Sequence, residues 1–247
     1  MITRSAILSH LPTLQVVFLC GPLALLWSYC CLRFAGYLKC VRGFNTGYTR
    51  KIFHVSIFLS AVAVQRFWGF AAVCLFGTMV SLVIGYAVFC GAGNRFYEAL
   101  AREQDGPRRT YYIVLPYFAT LIGGVASNIF FGPLAVIGYL VGGLGDAAGE
   151  PVGTRWGKHY YFIPAFGRAP ATTRSYEGSL GVLIVSLIGL FIAIAISPDI
   201  HLNVRSAITL PFIAMACTVV EAVSPHGWDN TPMQIVPTLL AATFLLT

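Results

Sequence analysis

The sequence predicts an all-α membrane protein, a polytopic helix bundle with about eight transmembrane helices and seven as the alternative count. Of its 247 residues, 57% are hydrophobic and 10% are charged, whereas about a quarter of the residues in soluble domains are charged. Several apolar runs also approach the roughly 20 residues that cross a bilayer as a helix. We therefore expect residues 1–247 to form a single integral membrane domain.

The apolar runs are separated by polar or glycine-containing segments. A turn is expected at Arg66–Gly69 and another at Gly132–Pro133, because glycine and proline interrupt helices. The predicted spans are residues 11–33, 51–67, 68–91, 111–131, 133–150, 176–197, 206–223 and 231–247.

Basic residues are concentrated in alternate loops. Thirteen of the 16 Lys and Arg residues lie in or beside the segments 34–50, 92–110 and 151–175. Because cytoplasmic loops carry an excess of Lys and Arg, these segments and 224–230 are predicted to be cytoplasmic, with both termini on the far side. The net charge of +7 then belongs near lipid headgroups. We expect no nucleic-acid partner and a multi-pass location, in the plasma or inner membrane of a bacterium or the endoplasmic reticulum of a eukaryote.

Nine acidic residues remain to be explained. Three of them, between positions 98 and 105, are expected on a solvated surface. Five others lie at the predicted cytoplasmic ends of the last four spans, where ionisable groups are costly unless they are paired or functional. If their segment is helical, the first two share one face because they are four residues apart. The five are Asp146, Glu150, Glu177, Glu221 and Asp229.

Basic side chains fall at the same predicted membrane face. Arg and Lys bind phosphate oxygens well, and carboxylates hold Mg²⁺ on a phosphate. The pattern therefore predicts a site for a magnesium-bound phosphate. Two interpretations of His54 stay open. It is either a buried histidine with a hydrogen-bond partner or an acid–base group. The basic residues are Arg50 and Lys51 at the start of the second span, and Arg155, Lys158 and Arg174 in the segment 151–175.

Soluble nucleotide-binding motifs are missing. No GxxxxGK[ST] string occurs, and the GxGxxA match at residues 143–148 lies in a predicted membrane helix without a preceding strand. Phosphate chemistry would therefore use a membrane-embedded site.

Four strings together resemble the polyprenol kinase family, which includes phytol kinases, dolichol kinases and CTP-dependent diacylglycerol kinases. Their order and spacing cover residues 48 to 240. The strings are Arg50-Lys51-Ile52-Phe53-His54, Gly145-Asp146-Ala147-Ala148 with Gly153 and Gly157, Arg174-Ser175-Tyr176-Glu177-Gly178-Ser179, and Glu221 with Pro225, Gly227, Asp229 and Asn230. The family usually has Lys where Arg174 stands.

The resemblance implies transfer of the γ-phosphate of CTP to a lipid alcohol such as phytol, farnesol or dolichol, with Mg²⁺ or another divalent cation. It implies a site built from segments 48–54, 142–181 and 221–231. Our hypothesis assigns the metal to Asp146, Asp229 and Glu150, and chemistry to Asp146, Glu177, Asp229, Lys51 and His54. Glu177 or Asp146 would act on the lipid hydroxyl. Nucleotide contacts are assigned to Arg155, Lys158, Arg174, Gly153, Gly157, Ser175, Gly178 and Asn230.

Two other functions stay open. Phosphatidate cytidylyltransferases have a similar central loop, so cytidylyl transfer is one alternative, beside a diacylglycerol kinase. A transporter with intramembrane acids is a more distant alternative, and it would need polar groups reachable from both sides. The sequence predicts neither the lipid nor an oligomeric state.

Overall fold

The structure is a computed structural model that describes residues 12–163, 172–197 and 204–245. It divides into two units, residues 1–106 and 107–247, which are described separately. The described residues are almost entirely helical, which confirms the predicted all-α class. They contain five helices long and apolar enough to cross a membrane.

The first unit contains helices α1 (Leu14–Cys40), α2 (Thr46–Cys90) and the short α3 (Arg95–Leu100). Helix α2 breaks at Gly69, whose φ of 75° lies in the left-handed region that favours glycine. This break confirms the turn predicted at Arg66–Gly69. Helix α1 extends past residue 33, and α2 begins before residue 51, so the predicted loop 34–50 is reduced to residues 41–45.

Polar contacts hold the helices of the first unit together. The indole of Trp27 donates to the Ser60 hydroxyl at 2.8 Å, which joins α1 to α2. The Thr49 hydroxyl donates to the carbonyl of Ala99 at 2.9 Å, which joins α2 to α3. The prediction that the acids between residues 98 and 105 lie on a solvated surface is wrong for Asp105. Its carboxylate is buried against the Arg102 guanidinium at 3.0 Å because the short 3₁₀ turn places the two residues together.

The second unit begins with α4 (Tyr111–Phe131), which ends at Gly132 with a φ of 56°. The chain then continues through a 3₁₀ turn into α5 (Ala135–Leu140), a π-helical stretch (Val141–Gly145) and α6 (Asp146–Trp156). The predicted break at Gly132–Pro133 is thereby confirmed. The remaining helices are α7 (Tyr176–Ile196), α8 (Val204–Val223) and α9 (Asn230–Phe244).

A two-stranded hairpin joins α6 to α7, where only a polar loop was expected. Strand β1 (Tyr160–Ile163) pairs antiparallel with β2 (Thr172–Ser175), with Tyr161 opposite Arg174. Residues 164–171 of the predicted 142–181 element lie outside the described residues.

Close helix contacts set the position of α9. Two side chains at its start donate hydrogen bonds to carbonyls of α4. The Asn230 amide donates to Pro116 at 3.0 Å, and the Thr231 hydroxyl donates to Ala119 at 2.7 Å. The fully buried Gln234 amide donates to the carbonyl of Thr120 at 3.0 Å. Helix α9 has 15 residues, fewer than the roughly 17 that span a bilayer. The count of eight spans therefore stays a prediction, and so does the single domain.

Candidate functional site

Three carboxylates from different parts of the second unit meet at one point. Asp146 is the first residue of α6, Glu221 lies in the last turn of α8, and Asp229 precedes α9. Ligand oxygens from the three side chains all lie within 4.8 Å of one another. Asp146 and Glu221 are buried, with exposed fractions of 5% and 8%. We call these three residues the acid cluster.

Local structure directs each acid into the cluster. The π-helical stretch Val141–Gly145 ends immediately before Asp146, and such insertions rotate the following residues and occur often at functional sites. The Asp229 carboxylate accepts a hydrogen bond from the backbone N–H of Asn230, the first residue of α9, at 3.1 Å. The contacts of α9 with α4 therefore also hold Asp229.

Arg174 on β2 brings a positive charge to the acid cluster. Its guanidinium forms an ion pair with the Glu221 carboxylate, and its Nη2 atom lies 3.9 Å from Oδ2 of Asp229. Nη2 also donates to the carbonyl of Ser224 at 3.5 Å. Arg174 thus provides one charge for two of the three carboxylates, in a setting where its side chain is 17% exposed.

The residues of the acid cluster fit a divalent cation. Carboxylate oxygens are the ligands that Mg²⁺ prefers, and two of them bound at ~2.1 Å to one ion are at most ~4.2 Å apart. Oxygens already within 4.8 Å of one another need only small rotations to reach that spacing. Mg²⁺ usually takes its remaining ligands from water and substrate phosphates.

The structure brings together two of the three residues predicted to bind the metal, and the metal itself stays a prediction. Asp146 and Asp229 come together as predicted, but the third acid in the cluster is Glu221. Glu150, which was predicted as a ligand, is half-buried and is not a member of the cluster. Glu221 had been recognised as one of five acids near the membrane and as part of the fourth string of the family resemblance, but it had been given no role.

Glu177 also lies outside the acid cluster and instead contacts His159. Its carboxylate is 2.7 Å from the ring Nδ1 of His159 and accepts from the backbone N–H of that residue at 3.3 Å. This pair ties the start of α7 to the residue that precedes β1.

Four residues predicted to bind nucleotide form a tight junction between α6, β2 and α7. The Ser175 hydroxyl caps α7 by accepting from the N–H of Gly178 at 3.0 Å. A methyl group at Gly153 would lie 2.9 Å from that hydroxyl, and one at Gly157 would lie 3.0 Å from it. These glycines thus permit close packing beside the site, and their contact with a nucleotide stays a prediction.

The remaining predicted residues have other surroundings. Arg155 and Lys158 are exposed near the end of α6, where the Arg155 guanidinium lies 5.3 Å from the centre of the Trp156 ring. Lys51 and His54 belong to the first unit, and the His54 ring lies 4.5 Å from that of Phe58. Asn230 is 5% exposed and donates to Pro116, as described above.

Comparison with known proteins shows a similarity to a phytol kinase. A phytol kinase of Synechocystis sp. is 29% identical to this chain over 128 residues, which are 51% of this chain and 52% of that protein. The similarity supports a relationship to the polyprenol kinases. This similarity is at the level of the family and does not indicate a particular member. The chain spans about half the length of that relative. No family model matches the chain, and no solved structure matches it.

Proposed function

We propose that this chain is a membrane-embedded kinase that transfers the γ-phosphate of CTP to the hydroxyl of a prenol such as phytol, farnesol or dolichol. The observation that carries the proposal is the acid cluster with Arg174, in a multi-pass protein similar to a phytol kinase. Phosphoryl transfer depends mainly on positioning and charge neutralisation, and a cluster of three acids and an arginine suits that task.

The acid cluster would hold Mg²⁺ against the nucleotide. Asp146, Glu221 and Asp229 supply the oxygen ligands, and a bound cation would neutralise charge on the β- and γ-phosphates. Arg174, already beside two of these acids, could turn its planar fork to a phosphate. Arg155 and Lys158 would attract the triphosphate from the exposed end of α6, and Lys51 stays a further proposed phosphate ligand.

The chemical step joins the lipid oxygen to the γ-phosphorus. The bond between that phosphorus and the β–γ bridging oxygen breaks, CDP leaves, and the hydroxyl proton passes to a carboxylate. Because Asp146 is occupied with the cation in this proposal, Glu177 is the acid we assign to the hydroxyl. His54 stays a proposed acid–base group.

A label-transfer experiment tests this function. The purified protein is given CTP labelled at either the α- or the γ-phosphate, with phytol, farnesol, dolichol, diacylglycerol or phosphatidate as acceptor. Kinase activity puts γ-label alone into a prenol. α-Label in phosphatidate would instead indicate cytidylyl transfer, and γ-label in diacylglycerol alone would indicate a diacylglycerol kinase. Parallel reactions with ATP test the preference for CTP.

A further inference from the structure

The hairpin between α6 and α7 carries exposed aromatic side chains that the proposed chemistry does not use. We propose that this aromatic face, formed by Tyr160 and Phe162 and flanked by Trp156 and Tyr176, docks into the headgroup region of the lipid bilayer. The proposal concerns membrane contact and holds whatever reaction the acid cluster supports.

The four side chains are strongly exposed. Their exposed fractions are 58% for Trp156, 63% for Tyr160, 65% for Phe162 and 63% for Tyr176. Single exposed apolar residues are normal, but Trp156, Tyr160 and Phe162 fall within seven residues of sequence. Such a concentration of large exposed rings indicates a surface that meets an apolar or amphipathic partner. Tyrosine and tryptophan favour the membrane interface because each has an apolar ring and a polar edge.

The opposite face of the hairpin is held by the protein. Side chains alternate between the two faces along a strand, and directly opposed residues share a face. Tyr161 is opposed by Arg174. Its hydroxyl lies 2.7 Å from that of Ser179, while Arg174 pairs with Glu221. Tyr160 and Phe162 belong to the other face, where Phe162 is opposed by the exposed Thr173. At the base of that face Tyr160 is opposed by the buried Ser175, and the Tyr160 hydroxyl donates to the carbonyl of Gly157 at 3.0 Å. The outer part of the face, at Phe162, is therefore its most exposed part.

The hairpin is tethered directly to two candidate membrane spans. One span ends at Trp156 and the next begins at Tyr176, immediately after β2. Strand β2 ends at Ser175 and α7 begins at Tyr176, so no residue separates them. The backbone N–H of Tyr176 also donates to the carbonyl of His159, the residue before β1, at 2.9 Å. Both strands of the hairpin are therefore fixed at one end to the start of a candidate membrane span.

The surface of α7 indicates a bilayer as the partner. Tyr176 begins a line of exposed apolar side chains at four-residue spacing, which places them on one helix face. Leu180, Ile184 and Ile188 continue that line with exposed fractions of 54%, 50% and 49%. In a membrane-spanning helix this stripe faces lipid, so the aromatic face continues a lipid-facing surface toward the headgroups. Docking would also hold Arg174, on the other face, at the depth of the acid cluster.

Tryptophan fluorescence in lipid nanodiscs tests the proposal. Phe162→Trp supplies a probe on the docking face and Tyr161→Trp supplies a matched probe on the protein-facing side. Both are made in full-length protein in which the four native tryptophans are changed to phenylalanine, namely Trp27, Trp68, Trp156 and Trp228. We expect the probe at 162 to emit at short wavelength and to be quenched by lipids brominated near the glycerol. Quenching should be weaker at 161.

Three results would overturn the proposal. Emission at 162 that is quenched by iodide in water and not by brominated lipid means that the face is solvated. Strongest quenching by bromine at the bilayer centre means that it lies in hydrocarbon. Short-wavelength emission that no quencher reaches means that protein covers it. If the replacements at 161 or 162 prevent folding, a variant that retains only Trp156 gives the same three readings. None of these readings depends on kinase activity.

Discussion

The Arg174 guanidinium on strand β2 is ion-paired with the Glu221 carboxylate at the end of α8. Both side chains are largely enclosed, with exposed fractions of 17% and 10%, and the Asp229 carboxylate lies 3.9 Å from the second terminal nitrogen of the guanidinium. The hairpin is therefore connected directly to the acid cluster. A change at Arg174 should alter both the stability of the second unit and the charge of the proposed active site.

Replacing Arg174 with methionine should destabilise the protein. Arg174→Met keeps an unbranched side chain but leaves Glu221 and Asp229 close together without the guanidinium. Breaking a buried ion pair from one side costs about 3–5 kcal/mol, and partial exposure of this pair reduces the expected loss to ~2–3 kcal/mol. Thermal unfolding in detergent with a chelator present measures the change.

The matched double variant tests the cause. Arg174→Met combined with Glu221→Gln removes the uncompensated carboxylate and should recover part of the lost stability. Equal unfolding temperatures for the wild type and the single variant would mean that the pair contributes nothing to stability.

Cation binding should depend on Glu221 more than on Glu150. Glu221→Gln removes one oxygen ligand of the acid cluster, whereas Glu150 lies outside it. Changes that only perturb the surroundings of a metal already cost about 10–100-fold in affinity, so losing a ligand should weaken Mn²⁺ binding by at least ~10-fold. Titration of Mn²⁺ followed by electron paramagnetic resonance compares Glu221→Gln with Glu150→Gln. A larger loss for the second variant would restore the sequence-based assignment.

Most of the fold could be predicted because membrane helices are a matter of composition and length. Residues 111–131 were predicted as a helix, and α4 has those bounds. The breaks at Gly69 and Gly132 were also predicted from the glycines. Both positions take positive φ values, which favour glycine. The hairpin was missed because two four-residue strands produce little periodicity. The run Tyr160–Ile163, rich in residues that favour strands, was its available signal.

The acid cluster could be predicted only in part, because its third member depends on packing between distant helices. Asp146 and Asp229 were expected to meet, and they do. Glu150 was preferred since it follows Asp146 by four residues, but four residues of helix displace it by about 6 Å along the axis. Glu221 enters the cluster from α8, and local spacing could not rank it above Glu150.

Gly138 should be intolerant of even a methyl group. An added Cβ would overlap the backbone carbonyl of Gln234 and lie 2.7 Å from the Thr238 hydroxyl, so Gly138→Ala would push α9 away from α5. Overpacking costs typically ~1–3 kcal/mol, and we also expect weaker Mn²⁺ binding because Asp229 directly precedes this helix. Gly85→Ala is the control, since nothing lies within 4 Å of the added group. Equal unfolding temperatures for the two variants would contradict the close packing.

Glu177 and His159 can be separated by their effects on turnover. If Glu177 acts on the lipid hydroxyl, Glu177→Gln should lower kcat by on the order of 100-fold or more. His159→Ala removes only the partner of Glu177. The His159 ring is 77% exposed, and exposed ion pairs contribute little to stability. We therefore expect nearly unchanged kcat for His159→Ala. Similar losses in both variants would instead indicate that the pair serves to position the hairpin.

The central claim is that the acid cluster supports γ-phosphoryl transfer to a lipid alcohol, and Asp146→Asn tests it most directly. Transfer of label from γ-labelled CTP to a prenol is measured for wild type and variant in one detergent preparation, with circular dichroism to verify folding. We expect a Mg²⁺-dependent labelled product from the wild type. In the variant the rate should be lower by about 100-fold or more, because losing ~3 kcal/mol of transition-state stabilisation has that effect. Near-normal transfer by folded Asp146→Asn protein would contradict the claim.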